Sequence, residues 1–457
     1  MQTHSLHTLL EKYNIPTPRY TSYPTVPFWD EATFHPDQWL QKIRQAYQPQ
    51  AGLSLYIHLP FCEQLCTYCG CNKRITVNHK VEQPYIEALW QEWELYQQAF
   101  DDRPRLTSLH LGGGTPTFFS PTNLTRLLSP LLQSMEIADE ADFSIEVHPN
   151  YTQPAHLEAL YALGFRRLSV GVQDFDPVVQ QAINRPQTVA QTRFIIDEAR
   201  RIGFNAINID LIYGLPKQTR AGFSNTLEQV QHLHPDRVAL YSYAHVPWKS
   251  AAQRHYSEAD LPANADKFAI FEVGRQAFLS QGYVEVGFDH FALPHDTLAQ
   301  ALQQGTLHRN FMGYTHLPTQ VLIGLGASSI GDSGDAFAQN HTTLETYQAT
   351  VASGQLPLSK GHFLTAEDRY LRKHILALMC QSTTTWSDAF RDSPLGQAIW
   401  ERLAPFVADG LITLTENSLH IHPEAAPFLR NIAMQWDARY WDKQQTLAEK
   451  PIFSKSV

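Results

Sequence analysis

Six short apolar runs, Ser54–Leu59, Leu106–Leu111, Phe143–Val147, Leu168–Val172, Ile207–Ile212 and Val238–Tyr243, alternate with segments of helical period. Strands separated by crossover helices are the grammar of parallel β/α units. Six in succession with right-handed crossovers must curl into a barrel or an open arc. The intervening segments agree. Ile86, Leu89, Trp90 and Trp93 share one helical face, as do Leu124, Leu127, Leu128 and Leu131. Ser120-Pro121 supplies a cap and a first-turn proline, and Gly164 and Gly203 follow the last apolar positions of two further helices. The expected fold is α/β, a partial (β/α)6 barrel of the triosephosphate-isomerase kind.

The parity of the strands says what the barrel holds. Phe143, Ile145 and Val147 oppose Ser144 and Glu146; Ile207, Ile209 and Leu211 oppose Asn208 and Asp210; Leu168, Val170 and Val172 oppose Ser169, Gly171 and Gln173; His110 and Gly112 share a face. Helices cover the outside of such a sheet, so the apolar set faces them and the polar set points inward. A closed eight-stranded barrel would fill that space with branched aliphatics. The polar lining predicts a cavity instead. Glu146, Gln173 and Asp210 sit at or near strand C-termini, where such folds place their chemistry.

The stretch Y-I-H-L-P-F-C-E-Q-L-C-T-Y-C-G-C, Tyr56 to Cys71, gathers four of five cysteines into ten residues. Cys62, Cys66 and Cys69 are spaced C-x3-C-x2-C, and thiolates select iron-sulfur clusters or zinc. A structural zinc site wants four ligands, usually as two separated knuckles, and no second knuckle exists. A ferredoxin needs a fourth cysteine, and only the distant Cys380 remains, at the end of an apolar helix pattern that makes it a core residue. Three ligands for a four-iron cube leave one iron open to a small molecule. One strand later, L-G-G-G-T-P-T, Leu111 to Thr117, offers backbone groups without side chains. It lacks the Lys-Ser/Thr of a phosphate loop.

Composition excludes other classes. A formal charge of -10 with no dense Lys/Arg stretch argues against a general polyanion binder. No run of eighteen apolar residues appears, and M-Q-T-H-S-L-H-T-L-L carries no export signal, so the expected location is the cytoplasm, away from membranes. Residues 1–50 read as an arm without helical period, expected to lie over the active site, and 51–361 as the catalytic unit. Within the latter, L-I-G-L-G-A-S-S-I-G-D is expected to pair onto an edge of the barrel. Residues 362–457 read as a mainly helical lid or docking module of winged-helix type, with strands Leu411–Leu414 and Leu419–His422. A DNA-binding regulator is the rival reading for this module, and its lack of basic surface counts against it.

The cysteine spacing, with an aromatic before the third cysteine, resembles the signature of radical S-adenosylmethionine (SAM) enzymes. P-R-Y-T-S-Y-P-T, Y-C-G-C, L-G-G-G-T-P-T, G-V-Q-D-F, I-N-I-D-L-I-Y-G-L-P-K-Q-T, the Y-A-H turn and H-R-N-F-x-G-Y together resemble the family of oxygen-independent coproporphyrinogen III oxidases. The resemblance runs nearly end to end. It implies one 4Fe-4S cluster on Cys62, Cys66 and Cys69, with Cys71 not a ligand. It implies a SAM contacted by Tyr56, Tyr68, Gly113 and Glu146, with Gln173, Arg185 and Asp210 near its ribose and sulfonium end. Tyr56, Glu146, Gln173, Arg185 and Asp210 are the expected catalytic group. A second SAM-sized site would involve Gly114, Thr115, Ala244 and Ile330. His148 stands where the family pattern has an acidic residue, and Tyr68 replaces a common Phe.

The implied activity is decarboxylation of two propionates of coproporphyrinogen III to vinyl groups, giving protoporphyrinogen IX in haem biosynthesis. A 5′-deoxyadenosyl radical from SAM would abstract the first hydrogen. Arg19, Arg185 and Arg309 are candidate carboxylate partners. A flavodoxin or ferredoxin would supply electrons to a monomeric enzyme that binds no nucleic acid. A haem chaperone sharing the cluster, or another tetrapyrrole-modifying enzyme, is the alternative, and the Gly70-Cys71 extension and tyrosine-rich arm weigh against the chaperone.

Overall fold

Every expected strand forms in the computed structural model, which describes residues 6–248, 250–318, 320–443 and 452–456. Met1–Ser5, part of the stretch read above for export signals, lie outside the described residues. The barrel strands are β1 (Leu53–Leu59), β2 (Arg105–Gly113), β3 (Glu136–Val147), β4 (Arg167–Gln173), β5 (Ala206–Tyr213) and β6 (Arg237–Ser242), side by side and parallel. The sheet continues past both edges. On the β6 side stands the hairpin β7 (Val284–Val286) and β8 (His290–Ala292); on the β1 side stand β9 (Val321–Leu325), β10 (Ile330–Asp332), β11 (Ala336–Asn340) and β12 (Leu358–Phe363). The order is β12-β11-β10-β9-β1-β2-β3-β4-β5-β6-β8-β7, twelve strands in an open arc rather than a closed barrel. The glycine-rich segment L-I-G-L-G thus pairs parallel to β1. Each barrel edge that would otherwise expose unpaired backbone is covered.

The helices bury the faces their periodicity marked. In Glu82–Gln97 the inward side carries Ile86, Leu89 and Trp93, and in Pro121–Gln133 it carries Leu124, Leu127, Leu128 and Leu131. The Ser120 side chain accepts from Asn123 N at the start of the second, and a Thr188–Gln191 capping box opens Val189–Ile202. Ile145, Val170, Ile209 and Val238 face these helices as one continuous core.

The arm departs from its expected form. It contains two helices, Leu6–Tyr13 and Pro36–Ala46, and it divides between two cores. Trp39 and Ile43, one helical turn apart, join the barrel core, whereas Leu9, Tyr13, Tyr20, Tyr23 and Phe28 join the core of the C-terminal module. Tyr13 stacks on Phe406 with centroids 4.5 Å apart, and Tyr20 OH donates to Asp437 Oδ2 at 3.0 Å. From the same stretch Arg19 reaches the barrel, donating to Ser242 O at 2.8 Å. The module has helices Ala366–Gln381 and Pro394–Ala408 and the expected hairpin, joined by a third strand, Thr383–Thr385. Cys380 is buried beside Leu298 and Tyr314. Nδ1 and Nε2 of His422 bond Gly410 O and Thr413 Oγ1. No helix among the described residues is long and apolar enough to cross a membrane.

Candidate active site

The cysteine loop leaves β1 at its C-terminal end and is tied down on three sides. Phe61–Cys62 pairs with Arg74–Ile75, Thr67 N donates to Ile183 O at 3.0 Å, and Gln253 Nε2 donates to Tyr68 O at 2.9 Å. Lys73 Nζ caps the carbonyls of Cys69 and Cys71 at 3.0 and 3.3 Å. At the root, the glycines of the L-G-G-G-T-P-T motif let β2 and the loop approach. Gly113 has φ +115°, and a Cβ there would lie 2.7 Å from the His58 ring; one on Gly114 would lie 2.7 Å from Phe61 O. Gly114 N and Thr115 N instead donate to Leu59 O and Phe61 O, both at 2.9 Å. These two glycines therefore serve close packing within the protein as well as the open wall expected for a ligand.

Inward-facing polar residues of five barrel strands line one cavity of about 330 Å³: His110, Ser144, Glu146, Ser169, Gly171, Gln173, Asn208, Asp210 and Tyr241. Cys62, Cys66, Tyr68, Cys69, Gly113, Gly114, Thr115 and Arg185 complete its upper wall. It runs the length of β4, down to Arg167, Arg237 and Asp296 at the strand N-termini. There the cations are paired: Arg167 with Asp142, and Arg237 Nη2 with Asp296 Oδ1 at 2.7 Å. Three expected site residues lie off this wall. Tyr56, the least buried residue of β1, is not on the lining, and its ring stacks on His110 with centroids 5.9 Å apart. Ala244 follows β6 and accepts from Gln253 Nε2 at 3.2 Å, and Ile330, on β10, packs against the Trp29, Phe337 and Leu364 cluster.

The electrostatics separate the thiols. Burial lifts Cys62 to about 11 against the Thr115 hydroxyl, which donates to its Sγ at 3.4 Å. The S–H of Cys71, helped by Lys73, outweighs burial and brings Cys69 down to about 6. Arg185 donates to Cys66 Sγ at 3.5 Å and to Gly171 O at 2.7 Å. That direction ties Arg185 to the cysteine loop rather than to a distant carboxylate. His148, in place of an acid, is buried beside Arg185, and burial followed by that cation depresses it to about 2. It is neutral, with Nδ1 accepting from Asn150 N.

Burial pushes the Glu146 carboxyl up, but His110 and the Gly113 N–H overrule it and hold the group below the ordinary carboxylate range. The side chain remains 44 % exposed toward the cavity, an ionised carboxylate without a full complement of partners. Asp210 is the opposite case, pushed up to about 6 by burial and then by Glu146, while Ser169 Oγ and Asn208 Nδ2 donate to it. Gln173 has φ +68°, a region costing a side-chain-bearing residue about 1–3 kcal/mol, which marks the end of β4 as a site held in place by its surroundings.

His58 was not among the expected residues. Its Nε2 faces Asn72 O at 2.8 Å, so Nε2 carries the proton and Nδ1 accepts from Tyr56 OH at 3.0 Å. It shares the inward parity of Tyr56 on β1, a signal that the other strands had already made readable.

This donor set fits a cluster. Cys62, Cys66 and Cys69 border one cavity, yet no three Cys, His, Asp or Glu side chains among the described residues converge as ligands of a single ion would. Thiolates spaced along one loop suit a cubane, whose ligands sit on different irons.

An open parallel arc whose first strand feeds a three-cysteine loop and whose second ends in a glycine wall defines a radical SAM enzyme, and residues 56–230 match the Radical SAM superfamily. Named relatives match far more of the chain. Oxygen-independent coproporphyrinogen III oxidases of Pseudomonas aeruginosa and Escherichia coli are 38% and 41% identical, each over 436 residues. These cover 94% of this chain, and 95% and 94% of theirs. That of a Synechocystis strain is 36% identical over 458 residues, 98% of this chain and 97% of its own. The solved coproporphyrinogen III oxidase of Escherichia coli, described as a radical SAM enzyme, superposes with a TM-score of 0.87 at 38% identity, covering 96% of this chain and 100% of that one. The chain belongs to the oxygen-independent coproporphyrinogen III oxidase family.

Proposed function

We propose that the protein decarboxylates two propionate side chains of coproporphyrinogen III to vinyl groups without oxygen, giving protoporphyrinogen IX in haem biosynthesis. The observation that carries this reading is a polar cavity bordered by four cysteines of one loop, three of them in the C-x3-C-x2-C spacing, in a chain alike to named oxidases over 94% of its length. When bound, a 4Fe-4S cluster and SAM supply the one-electron reduction and the hydrogen-atom abstraction that start the reaction.

The residues of the chain do the rest. Cys62, Cys66 and Cys69 would hold the cluster; Arg185 donates to Cys66, and the Cys71 S–H donates to Cys69, whose charged form it favours. Ionised Glu146 offers its free carboxylate lone pairs to an ammonium, and the backbone of Gly113 and Gly114 forms the adjoining wall. Gln173 and Asp210 supply polar groups to a sugar across the cavity. Tyr56 acts through His58, whose Nε2–H holds the loop at Asn72. Electrons come from an external one-electron carrier of flavodoxin or ferredoxin type, and the protein works as a cytoplasmic monomer without nucleic acid.

Anaerobic reconstitution with iron and sulfide, followed by incubation with SAM, a reductant and coproporphyrinogen III, tests the reading. Divinyl product is expected only when both cluster and SAM are present, and product from iron-free protein would refute it.

A further inference from the structure

Two candidate carboxylate partners named from the sequence, Arg19 and Arg309, come together with two that were not, Lys267 and Arg430. The group lies beyond the C-terminal ends of β5 and β6. Arg19 Nη2 donates to Ser242 O at 2.8 Å, Lys267 Nζ to Tyr243 O at 3.1 Å, and Arg430 to the carbonyls of Thr17 and Ser456. The three arginines share one nearby carboxylate, Asp289, which is already engaged by His290 Nδ1 at 2.5 Å. For Arg19 and Arg430 these carbonyls satisfy hydrogen bonds without cancelling charge. Burial and the neighbouring Arg19 and Arg430 push Lys267 down to about 7, so the group repels itself.

Arg309 is the member least provided for. It is 5% exposed and lies between two aromatic faces, its guanidinium carbon 4.4 Å from the Tyr314 centroid and 4.9 Å from that of Phe288. Its Nε and Nη1 have no hydrogen-bond partner among the described residues. A guanidinium clamped by its faces can bind only at its edge, where planar carboxylates dock. A buried cation with unmet donors is unfavourable unless an anion completes it. Tyr314 and Tyr241, which neighbour it, both line the active-site cavity, and Arg309 stands directly behind them.

We propose that Arg309, supported by Arg19, Lys267 and Arg430, is the anchor for a carboxylate of the substrate, and so sets which propionate reaches the cysteine end of the cavity. This rests on the tetracarboxylate reading of the substrate above. The cationic group stands behind the Tyr241 and Tyr314 wall of the cavity, whereas the arginines at the cavity floor are already paired.

The test uses anaerobically reconstituted protein titrated with coproporphyrin III, the stable oxidised tetra-acid, and with its tetramethyl ester, followed by quenching of protein fluorescence. Arg309→Gln is expected to weaken the tetra-acid by about 10- to 100-fold and leave the ester unchanged, with partial rescue by Arg309→Lys. Cluster absorbance and SAM binding should stay at wild-type values. Equal affinity for the tetra-acid in Arg309→Gln, or a parallel loss for acid and ester, overturns the anchor. So does competition in which inorganic phosphate binds the wild type while tetra-acid binding ignores the substitution, which would make this a free-anion site. If Arg309→Gln does not fold, Lys267→Met is read by the same titration with the same two outcomes. A wild-type protein that binds no coproporphyrin III refutes the substrate reading itself, whereas binding that survives these substitutions refutes only the anchor.

Discussion

The cysteine loop on the upper wall of the cavity and the cationic group behind its Tyr241 and Tyr314 wall are built by opposite means. The first comes from sixteen consecutive residues, Tyr56 to Cys71, with Arg185, Thr115 and Lys73 each bonded to a cysteine. The second draws Arg19, Lys267, Arg309 and Arg430 from four distant points of the chain and sets them close enough to repel one another. The contrast teaches that an end meant for a resident cofactor arrives with its donors prearranged. Arg309, the proposed substrate anchor, keeps two donors unmet, Nε and Nη1, against Nε alone on Arg185 at the cysteine loop, so that more binding energy is left to be gained when an anion arrives.

The largest effect that could break this comparison lies at the cysteines. Cys62→Ala, Cys66→Ala and Cys69→Ala should each abolish the cluster's charge-transfer absorbance and activity after anaerobic reconstitution. Cys71→Ala should retain the cluster, because it removes only an S–H donated to Cys69. Equal iron loss in the Cys71 variant would mean that the loop has four ligands and that its prearrangement has been misread.

Glu146→Gln comes next. Loss of the ionised group that His110 and Gly113 hold should lower turnover about 100-fold while the iron content stays whole, the effect of removing a single charge-assisted hydrogen bond. Near-normal SAM binding and turnover would remove Glu146 from the cofactor end.

A smaller effect lies in the core shared by the arm and the C-terminal module. Asp437, fully buried against Tyr20 and Tyr440, is pushed up to about 7, chiefly by burial. Its unfolded value is near 4, so the folded state holds a proton that the unfolded state releases. Stability contributed by this site is thus greatest in acid, falls as pH rises from about 4 to 7, and is flat above. Asp437→Asn should flatten that decline, measured as thermal midpoints across the range. An unchanged slope would assign the decline elsewhere. Tyr20→Phe, the mildest change, should cost about 1 kcal/mol and lower the midpoint by about 2–4 °C or less, without altering cluster absorbance. Cluster loss in that variant would show that the arm supports the cysteine end directly.

The same contrast explains what the sequence made legible. Period-two strands and their polar parity placed Glu146, Gln173, Asp210 and the cavity, because each of those signals is local. The cysteine loop was legible for the same reason. The helix Pro36–Ala46 was missed although Pro36 at its first position, Asp37 and the Trp39–Ile43 pair all mark it, because nearby prolines set the tone of the arm. That Tyr20 and Tyr23 enter the core of a module some 400 residues away is a tertiary fact with no local period. Nor could spacing reveal that Lys267 and Arg430 lie with Arg309, or that Arg185 turns to Cys66. Ala244 and Ile330, carried over from the family pattern, lie off the cavity wall: Ala244 is held beyond β6 by Gln253, and Ile330 sits on β10, two strands beyond β1.

The central claim is that one cavity brings a propionate to the place where SAM is cleaved. Coproporphyrinogen III deuterated on the propionate carbon next to the ring tests it most directly, with mass analysis of the 5′-deoxyadenosine released. Deuterium in the 5′-deoxyadenosine, rising in step with vinyl product, is the predicted result. Unlabelled 5′-deoxyadenosine accompanying full vinyl formation would contradict it.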